Sequence, residues 1–292
     1  MVAELLERRH SGLRVVVSVI RTTGDQITDK PLHEFGGKGL FTKEIEQALL
    51  DGSIDFAVHS FKDVPVTMPL VDQAGLCIAA VPVRENPADV LVCQSARSIA
   101  ELPAGAKVGT GSLRRRAQLL AVRPDLIVEP VRGNIDTRVR KCLEGQYDAI
   151  ILAFAGLKRA SLFDAGIMNV IDATSLLPAP GQGALALQCR SHDANTRSLL
   201  GVLNDPMTET CVRLEREVVR LLAGDCHSPI AALAEPTSGG ISLRAKVGRR
   251  DGSPPVIEGY AVGSGDAIAS LPGDVCKQLA DLGVKALLNG RM

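Results

Sequence analysis

Two stretches of the chain share one layout. "LLDGSIDFAVHS", residues 49–60, and "CLEGQYDAIILA", residues 142–153, each close a helix-like run with an acid-glycine pair, then place an aspartate before an apolar, strand-like run. Gly52 and Gly145 are equivalent points 93 positions apart. In both copies the helix is entered from a basic segment that carries glycine, "GGKGLF" in one and "RGNIDTR" in the other. A helix, glycine and strand used twice is a weak internal repeat that supports an α/β architecture built from two related units. Further strand-like runs ("LRVVVSVI", "AKVGT") alternate with helix-like ones ("FTKEIEQALLDG", "SLRRRAQLLAV", "RVRKCLEG"), so buried and mostly parallel sheets are expected. The chain nonetheless opens in a helix-like segment, where such a unit would normally lead with a strand.

Proline-bearing connectors at "VPVRENPADV" and "LLPAPGQGAL" bracket the second copy as interdomain hinges would. The second unit, 84–176, therefore reads as inserted into the first, 1–80 and 181–200. From residue 201 the pattern changes to helical "MTETCVRLEREVVRLLAG", a hairpin-like "ISLRAKVGRRDGSPPVIEGYAVG" and a last helix near "DVCKQLADLGVKALLN". A third, smaller α+β domain over 201–292 is expected.

Composition narrows the partners. The 292 residues carry 33 basic and 33 acidic side chains, so no global field draws the chain to nucleic acid or membrane. An anionic ligand must then be held by a local basic cluster. No tryptophan is present and aromatics make up 3%, which leaves little for a base-stacking platform. The start "MVAELLERRH" lacks an apolar signal core, and no run reaches the length of a membrane span, so a cytoplasmic protein is expected. Seven cysteines, odd in number and never in a CxxC pair, argue against a disulfide framework and a structural zinc site, and no metal is expected.

"KVGTGSLRRRAQLL" reads as strand, tight loop and helix start, with Ser112 as N-cap. Arg114 stands where the third glycine of a dinucleotide fingerprint belongs. Three arginines in a first helical turn oppose the helix dipole by roughly 0.3–1 kcal/mol each at exposed sites. A bound anion reverses that sign, and the alternative is a solvated basic face. Lys38 lies in a glycine-rich loop that fails the Walker pattern, because Leu32 and Gly39 occupy its key positions. Arg132 and Arg138 sit similarly in the second unit. Lys38, Lys62, Arg114, Arg115, Arg132 and Arg138 all fall at strand-to-helix ends, where an interdomain crevice would gather them for a ligand with several carboxylates.

Asp63 is the lone acid in that set. It is either a turn residue of the "DVP" bend or a carboxylate that pairs with a cationic intermediate. His59 reads as a packed histidine at a strand end. Cys226, in the loop "AGDCHSPIA", is either a small buried hydrophobe or a site of covalent chemistry.

These segments, in this order, resemble one family. "GGKGLFTKEIEQALLDGSIDFAVHSFKDVPV", "GTGSLRRRAQL", "RGNIDTRVRK", "YDAIILAFAGLKR", "LPAPGQGALALQCR" and "GDCHSPIA" closely resemble the porphobilinogen deaminase (hydroxymethylbilane synthase) family, across nearly the whole chain. The resemblance implies two periplasmic-binding-protein-like α/β domains with an interdomain cleft and a small C-terminal domain. It implies that Cys226 carries a dipyrromethane cofactor through a thioether, onto which four porphobilinogen units are joined head to tail with loss of ammonia. Asp63 is then the catalytic carboxylate. Lys38, Ser112, Arg114, Arg115, Arg132 and Arg138 hold acidic side chains of cofactor and substrate, with Lys62, Thr110 and Gly133 close by. A monomer is expected.

Departures from the family pattern accompany the likeness. The family's first strand and the "R-x-S-P-L-A" loop after it have no counterpart, since Met1 aligns inside the helix that follows. Loss of a central strand would cost free energy comparable to the roughly 5–15 kcal/mol stability of a domain. The expectation is an upstream start codon, or a chain with poor folding and little activity, and comparison with an extended chain tests it. Gly111 replaces a serine common in the family, and Glu34 stands where some relatives carry lysine. The competing readings are an inactive family member and a carboxylate-binding module without catalysis, which would need neither Cys226 nor Asp63.

Overall fold

The computed structural model describes residues 1–20, 43–66, 75–225 and 228–289. The chain divides into two compact units, one formed by 1–84 with 184–210 and the other by 85–183 with 211–292.

In the first unit, helix α1 (Val2–Arg9) and helix α2 (Lys43–Leu50) accompany a three-stranded sheet of β1 (Phe56–Ser60), β2 (Leu76–Ala80) and β8 (Leu185–Arg190). The strand order is β1-β8-β2, and both pairings are antiparallel. Val2 and Leu6 of α1 pack with Ala80, Leu185, Leu187, Cys189 and Leu200, while Leu49 of α2 meets Ala57 and Leu76.

The second unit holds a five-stranded sheet in the order β5-β4-β6-β3-β7. These strands are β3 (Asp89–Val92), β4 (Lys107–Gly109), β5 (Ile127–Glu129), β6 (Ala149–Ala153) and β7 (Met168–Val170). Helix α3 (Leu113–Val122) follows β4, helix α4 (Ile135–Leu143) follows β5, and the short α5 (Phe154–Arg159) follows β6. Leu119 of α3 packs on one core with Leu91, Val108 and Ile151. Ile135, Val139 and Cys142 of α4, spaced to share one helix face, pack on another with Val90, Ile150 and Leu152.

The same unit contains helix α7 from Cys211 onward (Pro206–Leu221 in full, after α6, Ala194–Gly201) and an antiparallel sheet β11-β10-β9. Its strands are β9 (Ile230–Thr237), β10 (Gly240–Val247) and β11 (Ile257–Gly263), followed by helices α8 (Leu271–Asp281) and α9 (Val284–Asn289). Gly248 lies so close to α3 that a Cβ there would fall 2.4 Å from the Ala117 Cβ. No helix among the described residues is long and apolar enough to cross a membrane.

The two glycines of the repeat are borne out. Gly52 and Gly145 both have φ of +78°, the left-handed conformation that ends a helix, and β1 and β6 each begin four residues later. Two sequence expectations need correction. The sheets are not mostly parallel: only β4 with β5 and β4 with β6 run parallel among the described pairs. The reason is that β8 and β3, the strands that follow the two connectors, enter each sheet against the direction of β1 and β6. "LRVVVSVI" forms no strand: both edges of β8 are taken by β1 and β2, and Val16, Val17 and Val19 are exposed.

Candidate functional site

In the first unit the strand β1 ends in a single 3-10 turn, Phe61–Asp63. Phe61 and Val64 are buried, Lys62 is half-buried and Asp63 is exposed. The turn is pinned by the Phe61 N–H donating to the Ala184 carbonyl (3.0 Å) and the Val64 N–H donating to that of Phe61 (3.2 Å). Two apolar anchors therefore hold a charged pair outward at the sheet end, which accounts for the abrupt change from "FAVHS" to "FKDV". His59, buried near the end of β1, shares a 2.9 Å hydrogen bond with Gln188 Oε1, and Gln188 Nε2 donates to Glu46 Oε1 (3.3 Å). Burial lowers the His59 pKa, while the bond to Gln188 and the charge of Asp63 act in the opposite sense. His59 is thus the packed histidine that the sequence suggests.

In the second unit the loops after β4 and β5 lie side by side. The Thr110 N–H donates to the Glu129 carbonyl (2.8 Å), and Thr110 Oγ1 accepts from the Ser112 N–H (3.2 Å). Ser112 is the N-cap of α3, its side chain accepting from the Arg115 N–H. Gly133 has φ of +107°, and a Cβ there would meet Thr137 Cγ2 at 2.8 Å, so only glycine suits this loop.

The arginines of "SLRRRAQ" have different fates. Arg116 is exposed, whereas Arg114 and Arg115 are buried around the fully buried Asp89. Arg115 Nη2 donates to Asp89 Oδ1 (2.7 Å). Arg114 Nη2 stands 2.8 Å from Asp89 Oδ2 but off the direction of a hydrogen bond, so this contact is an ion pair. Burial pushes the Asp89 pKa up, and the two arginines outweigh it and hold the carboxyl far below the usual carboxylate range. Arg114 Nη1 donates to the Leu177 carbonyl, and Arg115 Nη1 to that of Ile151 (3.0 Å). The Nε atoms of both arginines are buried and have no hydrogen-bond partner.

Arg138 and Arg132 are half-buried in the next loop and helix, and Arg138 Nε donates to the Gly133 carbonyl (2.6 Å). The Arg138 pKa is lowered by burial and then by the charges of Arg115 and Arg132, which places both of those cations within electrostatic reach of Arg138. Within this unit, then, Thr110, Ser112, Arg114, Arg115, Arg132, Gly133 and Arg138 gather at neighbouring strand-to-helix ends.

Lys38 and Cys226 lie outside the described residues. On either side of Cys226, Ser228 Oγ donates to Asp225 Oδ1 (2.8 Å) and accepts from the Asp225 N–H (2.9 Å). Sequence reasoning missed Asp89, Gln118, Gln182 and Glu215, the buried polar side chains that hold the arginine region. Their signal was available: a charged residue opening the apolar run "DVLV", and polar residues inside "AQLL", "PGQGAL" and "LEREVV".

A donor set of buried guanidiniums with unpaired Nε atoms fits the acidic side chains of a dipyrromethane group. The comparisons agree. The model described as "Porphobilinogen deaminase, dipyromethane cofactor binding domain" matches residues 1–198, and "Porphobilinogen deaminase, C-terminal domain" matches 209–281. A porphobilinogen deaminase of Sorangium cellulosum is 50% identical over 80% of this chain and 76% of its own. That of Syntrophobacter fumaroxidans is 44% identical over 97% and 90%, and that of Xanthomonas oryzae pv. oryzae 47% over 98% and 92%. Among solved structures, a periplasmic substrate-binding protein from Coxiella burnetii covers 72% of this chain and 88% of its own, with 15% identity and a TM-score of 0.40. The chain belongs to the porphobilinogen deaminase family.

Proposed function

We propose that the chain is a hydroxymethylbilane synthase: it joins four porphobilinogen molecules head to tail, releases ammonia at each addition and frees a linear tetrapyrrole by hydrolysis. The observation that carries this reading is the match of both family models, in order, over residues 1–198 and 209–281. When bound, the dipyrromethane supplies the primer on which the chain of rings is extended. Cys226 would hold it through the thioether, and Lys38, Ser112, Arg114, Arg115, Arg132 and Arg138 would hold acidic side chains of cofactor and substrate, near Lys62, Thr110 and Gly133.

Asp63 contributes a fixed carboxylate. Loss of ammonia leaves positive charge on a pyrrole nitrogen, and an anion held in place by buried Phe61 and Val64 stabilises it without reorganising. The arginines neutralise the acetate and propionate groups that porphobilinogen brings, which explains a basic cluster in a chain of zero formal net charge. The reading includes a monomeric, cytoplasmic protein without nucleic-acid partners, organised as 1–80 with 181–200, 84–176, and 201–292.

Intact mass of the purified chain, peptide mapping around Cys226 and porphobilinogen consumption together test it. A two-pyrrole adduct on the Cys226 peptide, lost in Cys226→Ser, with turnover to a linear tetrapyrrole is the expected result. An unmodified Cys226 peptide in a chain that does not consume porphobilinogen overturns it and favours the carboxylate-binding module.

A further inference from the structure

The arginine pair rests on a buried polar scaffold whose members come from four separate segments. Asp89 opens β3 and is fully buried. Its Oδ1 accepts from Arg115 Nη2 at 2.7 Å and from Gln182 Nε2 at 2.8 Å, while Oδ2 faces Arg114 Nη2 at 2.8 Å. Each guanidinium is anchored a second time through Nη1, Arg114 on the Leu177 carbonyl and Arg115 on the Ile151 carbonyl. A planar fork held at both Nη atoms cannot turn about its own axis, so its remaining donor has a fixed direction.

Gln182 is itself held. Its Nε2 also donates to the Pro87 carbonyl (2.6 Å), and the preceding Gly181 N–H donates to Glu215 Oε2 (2.7 Å). The other oxygen of Glu215 accepts from the Ala234 N–H (2.9 Å), and Gln118 brackets Leu177 by accepting from its N–H and donating to its carbonyl. Nearly every polar atom of this scaffold is matched. The exceptions are the two arginine Nε atoms, which are buried and unpaired, and Asp89 Oδ2, which has only its ion-pair contact with Arg114. One carboxylate also faces two guanidiniums at contact distance. A scaffold serving stability alone would be expected to match its donors, because unpaired buried donors are destabilising.

We propose that Asp89, oriented by Gln182, is the positioning residue of the Arg114–Arg115 pair, which holds a carboxylate of the substrate. This rests on the reading that these arginines hold acidic groups of porphobilinogen. Asp89 touches neither substrate nor cofactor in this scheme; it acts through the guanidiniums.

The test is steady-state kinetics with porphobilinogen on the holo chain, its covalent occupancy measured by intact mass, for Gln182→Met, Asp89→Asn and Arg114→Gln, with thermal melts of each. Gln182→Met keeps the volume and the charge balance while removing one orienting donor. It is expected to raise KM by about tenfold, the loss of one charge-assisted hydrogen bond felt in binding, with kcat within about twofold of the parent. Asp89→Asn is expected to raise KM further wherever it folds, and if it does not fold, Gln182→Met decides alone. Unchanged KM in Gln182→Met, or a fall in kcat that merely follows lost melting temperature or occupancy, overturns the inference. Arg114→Gln separates the two levels. A raised KM there beside a normal Gln182→Met removes only the positioning role, whereas a normal KM in Arg114→Gln removes the binding reading and the inference with it.

Discussion

The two copies of the repeat carry the same frame and end it differently. Asp55, Phe56–Ser60, Phe61 and Val64 of the first unit correspond to Asp148, Ala149–Ala153, Phe154 and Leu157 of the second. In both, the aliphatic residue of the turn is buried, Val64 at 2% exposure and Leu157 at 0%. Between the anchors the copies part: Lys62 and Asp63 in one, Ala155 and Gly156 in the other. The first copy makes a single 3-10 turn that sets a carboxylate in solvent, while the second runs on into α5, whose Gly156 faces Ile135 of α4 so closely that a Cβ would stand 2.9 Å from its Cδ1. In the second copy α4 packs over the turn and leaves no room for a charged side chain at position 156. The second unit puts its charge one and two strands away, after β4 and β5, and with the opposite sign.

The largest effect should come from erasing the difference at its acid end. Asp63→Asn is expected to lower turnover by about 10²–10³, the loss of one main electrostatic stabiliser, with an unchanged melting temperature because the side chain is exposed. Near-normal turnover would reduce Asp63 to turn chemistry. Grafting the acid into the other copy should fail: Gly156→Asp is expected to destabilise by about 1–3 kcal/mol in denaturant unfolding, through overpacking against Ile135. A stable Gly156→Asp would show that α4 yields easily and that packing does not set the contrast.

Smaller still are the paired substitutions Gly52→Ala and Gly145→Ala. Both positions have φ of +78° with open space at the Cβ, so each should cost about 1–2 kcal/mol from backbone strain alone. Equal costs support equivalence of the two helix ends, and a cost confined to one copy breaks it.

Acidification should separate the copies by hydrogen exchange resolved by peptide. The folded pKa of His59 lies below its ordinary 6.5, so its neutral form favours folding above that pH and the contribution is lost as pH falls further. Asp89 lies far below its ordinary 3.8, so its contribution is complete above about pH 4 and is lost only in stronger acid. Peptides around β1 and β8 should thus lose protection at a higher pH than those around β3 and α3. Simultaneous loss would contradict the assignment of these two groups.

Much of this arrangement was legible in local patterns. Ser112 as N-cap, Gly52 and Gly145 as helix ends, and β1, β4, β6 and α3 at their expected places all follow from short-range rules that act within a few residues. The direction of β3 and β8 did not, because it depends on where a crossover re-enters a sheet. Nor did β9, whose run "IAALAEPT" is buried over five successive positions and so lacks the alternation of a half-exposed strand. "LRVVVSVI" has strand composition without a neighbour to pair with. In the candidate site, "SLRRRAQ" marked a basic helix start, but not that two of its arginines are buried beside Asp89. That pairing, and the grip of Gln182 on Asp89 from 93 positions away, leave no periodic trace.

The scaffold around Asp89 also has a consequence for the order of assembly. Its contacts join segments 26, 59, 63 and 93 positions apart, and its last support, Glu215, reaches back 34 positions to Gly181. Each such closure must be made against chain entropy before the buried charges are compensated. As the chain leaves the ribosome, Asp89 and the two arginines emerge well before Gln182 and Glu215 do. Until α7 is made, the Gly181 N–H beside Gln182 lacks its Glu215 acceptor. The final geometry of the arginine cluster therefore waits on a helix encoded far downstream.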